Sequence, residues 1–209
     1  MAYWLGFLAA DGCVSDKKHC LTVVLKSSDV CCLQQLKKDL DFQGQIHEYQ
    51  YKSSAGVLYP SVNLRIFSRI IVEDLKKFGI IPNKTYLSES YLDKIPLSYQ
   101  KFFSFGFLDG DGSISLYHSP IFLGSKKDCE ILNSLWFQNG GKITLENANN
   151  NLYKLTASNL LGKQFFKEYT YFALTHFVLP RKLERAYESL AYAIHTENVK
   201  PITKKGFYK

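Results

Sequence analysis

Wholly apolar segments alternate along this chain with segments of two-residue or helical periodicity, and the order of segments occurs twice. Residues 3–11 and 103–111 are apolar on every side and end in acid, which predicts two buried helices. HCLTVVLKS (19–27) reads as a strand with an apolar centre. Asp29 then stands as the N-cap of a helix whose inner face is Val30, Leu33, Leu36 and Leu40. GQIHEYQYKS (44–53) alternates, with Ile46 inward and Gln45, His47, Tyr49 and Tyr51 outward. VNLRIFS (62–68) is expected to pair as a further strand, followed by a helix over 69–78 that stops at Gly79. The second half predicts a strand over 113–123, a helix over 128–138, strands over 141–147 and 152–158, and helices over 159–171 and 181–195. Each half is therefore an α-β-β-α-β-β-α unit, an α+β arrangement.

The two halves share landmarks as well as pattern. Asp11 and Asp111 lie 100 residues apart, Asp29 and Asp128 99, Pro82 and Pro180 98, Lys84 and Lys182 98, and Gly44 and Gly141 97. Landmarks in one order at nearly one offset mark a duplicated unit of about 100 residues. The expected organisation is a first repeat over 1–85, a linker over 86–101 containing Pro96, a second repeat over 102–197, and a basic tail over 198–209 without fixed structure.

Composition narrows the partners. Of 209 residues, 46% are hydrophobic and 15% aromatic, ample for packed cores, and the longest apolar runs are far too short to cross a bilayer. The helical pattern begins at residue 3, so a trimmed start or a missing leader is expected, and the segment lacks the basic start of a signal peptide. The five cysteines show no C-x-x-C spacing and no histidine placed to complete a zinc site. They are expected to be reduced and mostly buried, in an intracellular reducing compartment such as an organelle or a bacterial or phage-infected cytoplasm. The net charge of +7 rests largely on lysine and favours a polyanion.

The acidic helix ends carry the sharpest chemistry. Gly6 and Ala10, like Gly106 and Gly110, are four residues apart, so small residues line one face and the two helices should pack with backbones nearly touching. Asp11 and Asp111 then fall at helix C-termini, where the dipole disfavours a carboxylate by about 0.3–1 kcal/mol. Two anions brought together there call for a compensating cation, and hard oxygen ligands suit magnesium. Asp109 has Ala9 in the matching place and is expected to be structural, hydrogen-bonded near the helix end.

LGFLAADG (5–12) and FGFLDGDG (105–112) resemble the two signature motifs of the LAGLIDADG homing endonucleases, in their monomeric two-repeat form. The resemblance takes in nearly the whole chain, including IPNKT (81–85) and LPRKL (179–183). It implies a saddle of antiparallel sheets over double-stranded DNA and a site-specific endonuclease. It further implies metal ligation by Asp11 and Asp111 with the carbonyls of Ala10 and Gly110, and catalytic basic residues at Lys84 and Lys182. Mg2+ is the implied cofactor, with Mn2+ able to substitute. The implied product is a double-strand cut across the minor groove with short 3′ overhangs. Ser27 or Ser125 stands where a water-positioning side chain would be. Lys26, Gln45, His47, Tyr49, Tyr51 and Arg65 in one half, and Lys126, Lys142, Thr144, Glu146 and Lys154 in the other, are the candidate DNA contacts. These faces differ, so the target should be only loosely palindromic. Two rivals use the same fold: a maturase that binds the host intron RNA, and a cleavage-inactive DNA-binding regulator.

Overall fold

The two apolar segments are helices, and they pack on each other along their glycine faces. A computed structural model of the chain describes residues 1–82, 90–115 and 119–198. Helix α1 (Ala2–Asp11) and helix α4 (Leu97–Gly110) meet reciprocally. A Cβ at Gly6 would overlap the Phe103 carbonyl oxygen and lie 2.8 Å from Phe107 N. A Cβ at Gly106 would overlap the Tyr3 carbonyl oxygen and lie 2.8 Å from Phe7 N. The same contact thus occurs twice at an offset of 100, as a two-fold relation between the helices requires. Only glycine allows such an approach. Trp4, Phe7 and Leu8 on α1, and Phe103, Phe107 and Leu108 on α4, are all buried.

Each helix leads into a sheet. In the first half these are β1 (Gly12–Ser15), β2 (Cys20–Lys26), β3 (Ile46–Lys52) and β4 (Leu58–Phe67), in spatial order β1-β2-β4-β3, all antiparallel. The second half matches it with β5 (Ser113–Ile114), β6 (Pro120–Gly124), β7 (Lys142–Asn147) and β8 (Leu152–Thr156), in order β5-β6-β8-β7. Behind the first sheet lie α2 (Val30–Asp39) and α3 (Arg69–Lys77); behind the second, α5 (Lys126–Phe137), α6 (Asn159–Phe172) and α7 (Pro180–Asn198). Ser68, Ser125 and Ser158 cap α3, α5 and α6, each accepting a backbone N–H from three residues on. The first core is largely aliphatic, with Leu21, Leu33, Leu36, Val62, Leu64 and Val72. The second is an aromatic cluster of Phe105, Trp136, Phe165, Tyr169 and Phe172. Among the described residues no helix is long and apolar enough to cross a membrane.

Several boundaries differ from those read in the sequence. α4 begins at Leu97 and a 3-10 turn covers Leu92–Lys94, so part of the segment read as linker is ordered structure. β4 begins at Leu58, because residues 58–60 pair with β3 while exposed on both faces and so carry no apolar alternation. The strand read over 113–123 is two strands, and residues 116–118 lie outside the described residues. Lys126 is the first residue of α5, not a strand residue, because Ser125 caps the helix earlier than the apolar spacing shows. The residues from 199 onward also lie outside the described residues.

Candidate nucleic-acid interface and metal centre

The acidic ends of α1 and α4 come together with their small residues. A Cβ on Gly110 would overlap that of Ala10, so the last turns abut just before Asp11 and Asp111. α1 passes straight into β1, and α4 reaches β5 after Asp111 and Gly112. Gly12 has φ −73° and ψ 140°, so it is not a left-handed cap; a Cβ there would instead lie 2.6 Å from the Leu8 carbonyl oxygen. Asp11 is half-buried and Asp111 exposed.

The end of α4 is capped by a lysine from α7. Lys182 is buried at 4% exposure, and its ammonium donates to the carbonyls of Leu108, Asp109 (2.6 Å), Gly110 (3.1 Å) and Gly112 (2.8 Å). A helix leaves its last four carbonyls without intrahelical partners. Here one cation takes three of them, and the N–H of Gly112 takes that of Phe107 at 3.3 Å. The positive charge also sits at the negative end of the helix dipole. Burial pulls the Lys182 ammonium down to about 8, against the opposing pull of Asp109. The expectation of a phosphate-facing Lys182 meets a side chain already spent on backbone oxygens. Lys84 lies outside the described residues.

Asp109 supports the same helix end from within. Its carboxylate accepts from Tyr3 Oη (2.6 Å), Tyr169 Oη (2.6 Å) and the Leu179 N–H (2.8 Å). The residue is therefore a buried tie between α1, α4, α6 and the segment before α7. Burial raises its carboxyl above the ordinary carboxylate range, opposed by Lys182 and the three donors. Both tyrosine hydroxyls are pushed up, first by burial and then by the Asp109 charge.

The two matching aspartates before α2 and α5 are used differently. Asp29 makes no side-chain cap with α2; its carboxylate accepts from Arg181 Nε of the second repeat at 3.1 and 3.3 Å. Asp128 accepts from Ser90 Oγ (2.6 Å), Ser125 Oγ (2.7 Å) and Leu92 N (3.0 Å). Ser125, a candidate for positioning water, is thus buried and engaged as a helix cap. Ser27 lies half-buried in a 3-10 turn at the end of β2.

The sheet faces away from the helices follow from the register. Val62, Leu64 and Ile66 of β4 point into the core, so Ser61, Asn63, Arg65 and Phe67 point outward. Pairing places Thr22, Val24 and Lys26 of β2, and His47, Tyr49 and Tyr51 of β3, on that same face. Gln45 precedes β3 and is exposed. In the second sheet Lys142, Thr144 and Lys154 share one face by register, and Lys154 reaches Glu146 at 3.3 Å. Lys126, on α5, instead lies 3.9 Å from Glu130. Sequence alternation missed Asn63, whose Oδ1 is buried with no hydrogen-bond partner among the described residues. It sits between Val24 and His47 in the register, in a strand whose apolar centre hides its outward members.

The surroundings of the helix ends bear on any cation there. Among the described residues no three His, Cys, Asp or Glu side chains cluster as a metal site. The oxygens at the two helix ends are the carboxylates of Asp11 and Asp111 and the carbonyls of Ala10 and Gly110, the last already accepting from Lys182 at 3.1 Å, and all are hard. That set fits a magnesium-like ion, which keeps several waters and takes one or two carboxylates with substrate phosphate oxygens. A cavity of about 460 Å3 lined by Trp4, Phe102, Phe172 and Phe177 lies at the opposite, N-terminal end of α1.

Comparison with solved structures identifies the architecture. Meganuclease I-SmaMI bound to uncleaveable DNA superposes with a TM-score of 0.60 at 17% identity, over 94% of this chain and 90% of that one. The chain has the fold of the LAGLIDADG homing endonucleases. The LAGLIDADG meganuclease I-AabMI bound to uncleaved DNA gives 0.54 at 14% identity, over 93% and 90% of the two chains. Homing endonuclease I-WcaI bound to its DNA recognition sequence gives 0.55 at 14%, over 80% and 78%. No protein-family model and no curated protein sequence matches the chain. In this LAGLIDADG fold the paired acids end the two central helices, and the sheets present their outward faces beside them.

Proposed function

We propose that this chain is a site-specific DNA endonuclease that hydrolyses both strands of a long, loosely pseudo-palindromic target. The observation that carries the reading is the pair Asp11 and Asp111, at the ends of helices whose glycines hold them in backbone contact. The structures it resembles include I-SmaMI, I-WcaI and I-AabMI bound to DNA, and one I-SmaMI structure was obtained with calcium ions. Asp11 and Asp111, with the carbonyls of Ala10 and Gly110, are the proposed ligands of Mg2+, for which Mn2+ would substitute. Such an ion, when bound, stabilises the attacking and leaving oxygens of the phosphodiester. The chain does the rest. His47, Tyr49, Tyr51, Arg65, Lys142, Thr144 and Lys154 lie on the major groove and set the register, mixing phosphate binders with groups that read base edges. Lys84 supplies positive charge in the first half. Lys182 holds the α4 end, and with it Asp111, in place. The cut falls across the minor groove and leaves short 3′ overhangs.

The test is selection of cleaved sites from a randomised duplex library in magnesium, with Asp11→Asn and Asp111→Asn run beside the parent. One long enriched sequence cut by the parent alone is expected. Enrichment by binding with no cutting in magnesium or manganese would refute the nuclease and leave a DNA-binding regulator. Binding to structured intron RNA without DNA selectivity would favour a maturase.

A further inference from the structure

We propose that Arg181 is the phosphate-binding cation of the second half, and that Asp29 of the first repeat aims it. The inference rests on the nuclease reading above and goes beyond it. Lys182, the basic residue that the motif singles out, is buried with its ammonium taken by four carbonyls. Its three N–H groups are fewer than those acceptors, so it has none left for a phosphate. Arg181, one residue earlier, has a half-exposed side chain. Its Nε alone is held, by the nearly buried carboxylate of Asp29. Neither Nη group has an acceptor among the described residues, and together they offer the fork geometry that suits a phosphate oxygen pair.

The place is right as well as the chemistry. Asp29 ends the 3-10 turn that follows β2, and β2 pairs with β1, the strand that leaves Asp11. Arg181 precedes the lysine that grips the α4 end beside Asp111. Arg181 and both helix-end aspartates act on the Lys182 ammonium electrostatically. The arrangement has no twin, because the residue matching Arg181 before Lys84 is Asn83, which carries no charge. The two strand cuts are therefore inequivalent. Arg181 serves one of them, and Asp29 is its positioning residue.

The experiment follows strand-resolved cleavage of the parent's selected site, on a supercoiled plasmid and on end-labelled duplex. Arg181→Ala is expected to slow one strand on the order of a hundredfold, as loss of one transition-state donor does. The other strand should keep its rate, so nicked circle accumulates. Arg181→Lys keeps the charge but loses the Nε held by Asp29, and should recover part of that strand's rate. Asp29→Asn should slow the same strand, less severely. Melting curves accompany each variant, because an inter-repeat strut with no other role would lower stability and slow both strands alike. That result, or parental rates on both strands in Arg181→Ala, overturns the proposal while the nuclease reading stands. A parent that cuts no DNA overturns both.

Discussion

Replacing Gly6 or Gly106 with alanine puts the helix contact to a direct energetic test. In an ordinary helix interior the change would stabilise by about 1 kcal/mol through backbone propensity. Here the new methyl meets the carbonyl oxygen and amide nitrogen of the facing helix. Backbone atoms have no rotamer to escape into, so α1 and α4 must part. Parting them loosens Tyr3, Phe7, Phe103 and Phe107, all buried at that seam. Overpacking a core costs about 1–3 kcal/mol, occasionally more, and this site belongs at the upper end. A net loss of about 2–3 kcal/mol is expected after the propensity gain. In a chain of this size that lowers the melting temperature by about 5–10 °C. Thermal and urea melts of both variants measure it, with exposed Gln34→Ala on α2 expected to stay within about 0.5 kcal/mol. A melting temperature unchanged or raised in Gly6→Ala would mean that the helices are not in backbone contact.

Other substitutions probe the buried polar ties. Asp109→Ala strands the Tyr3 and Tyr169 hydroxyls and the Leu179 N–H, and should cost about 2–4 kcal/mol in a urea melt, whereas Tyr3→Phe should cost about 1. Asp128→Ala removes the acceptor for Ser90, Ser125 and Leu92 and should cost about 2–3 kcal/mol, read the same way. Alkylation at pH 8, mapped by mass spectrometry, should label exposed Cys13 and spare Cys32 and Cys129, whose thiols burial pushes up, Cys129 to about 12. Since folded Cys129 keeps its proton beyond the ordinary value near 9, its contribution to stability is full below pH 9 and is lost as pH rises toward 12. Cys129→Ser should flatten that part of the stability–pH curve.

What the sequence revealed depended on how local the cause was. The helix pair was legible because Gly6, Gly106 and Gly110 state the close approach in the spacing of small residues, and the repeat doubled that signal. The apolar faces of α2 and of the strand centres were legible for the same reason. The expectation that Asp109 is structural also held, because the Ala9 comparison showed that only one half needs it. Partners far apart in the chain were not legible. Nothing near Lys182 announces four carbonyls 70–74 residues away, and nothing near Asp29 announces a guanidinium 152 residues away. Asp29 reads as a helix cap from its neighbours alone, and its carboxylate is instead drawn to a charge that only the tertiary fold supplies. Ser125, a water-positioning candidate, shows the converse: a local cap already engages its hydroxyl.

The two halves agree most closely where backbone touches backbone, and diverge where side chains meet. At the helix seam each glycine faces the same pair of atoms in its twin, because any added atom would be expelled. A few residues away that constraint vanishes. One half has Asp109 tied to two tyrosines, where the other has Ala9. One helix-2 aspartate takes an arginine from the other repeat, whereas its twin takes a serine and a backbone amide from the connecting segment. The outward sheet faces diverge equally, with His47, Tyr49, Tyr51 and Arg65 against Lys142, Thr144 and Lys154. Symmetry is thus enforced at the axis, where the proposed metal ligands must stand in matching places on two strands. It is relaxed on the surfaces that would read sequence. On the proposed reading, the half-sites of the target should therefore resemble each other least where those outward side chains lie, and a selected site with two interchangeable halves would contradict it.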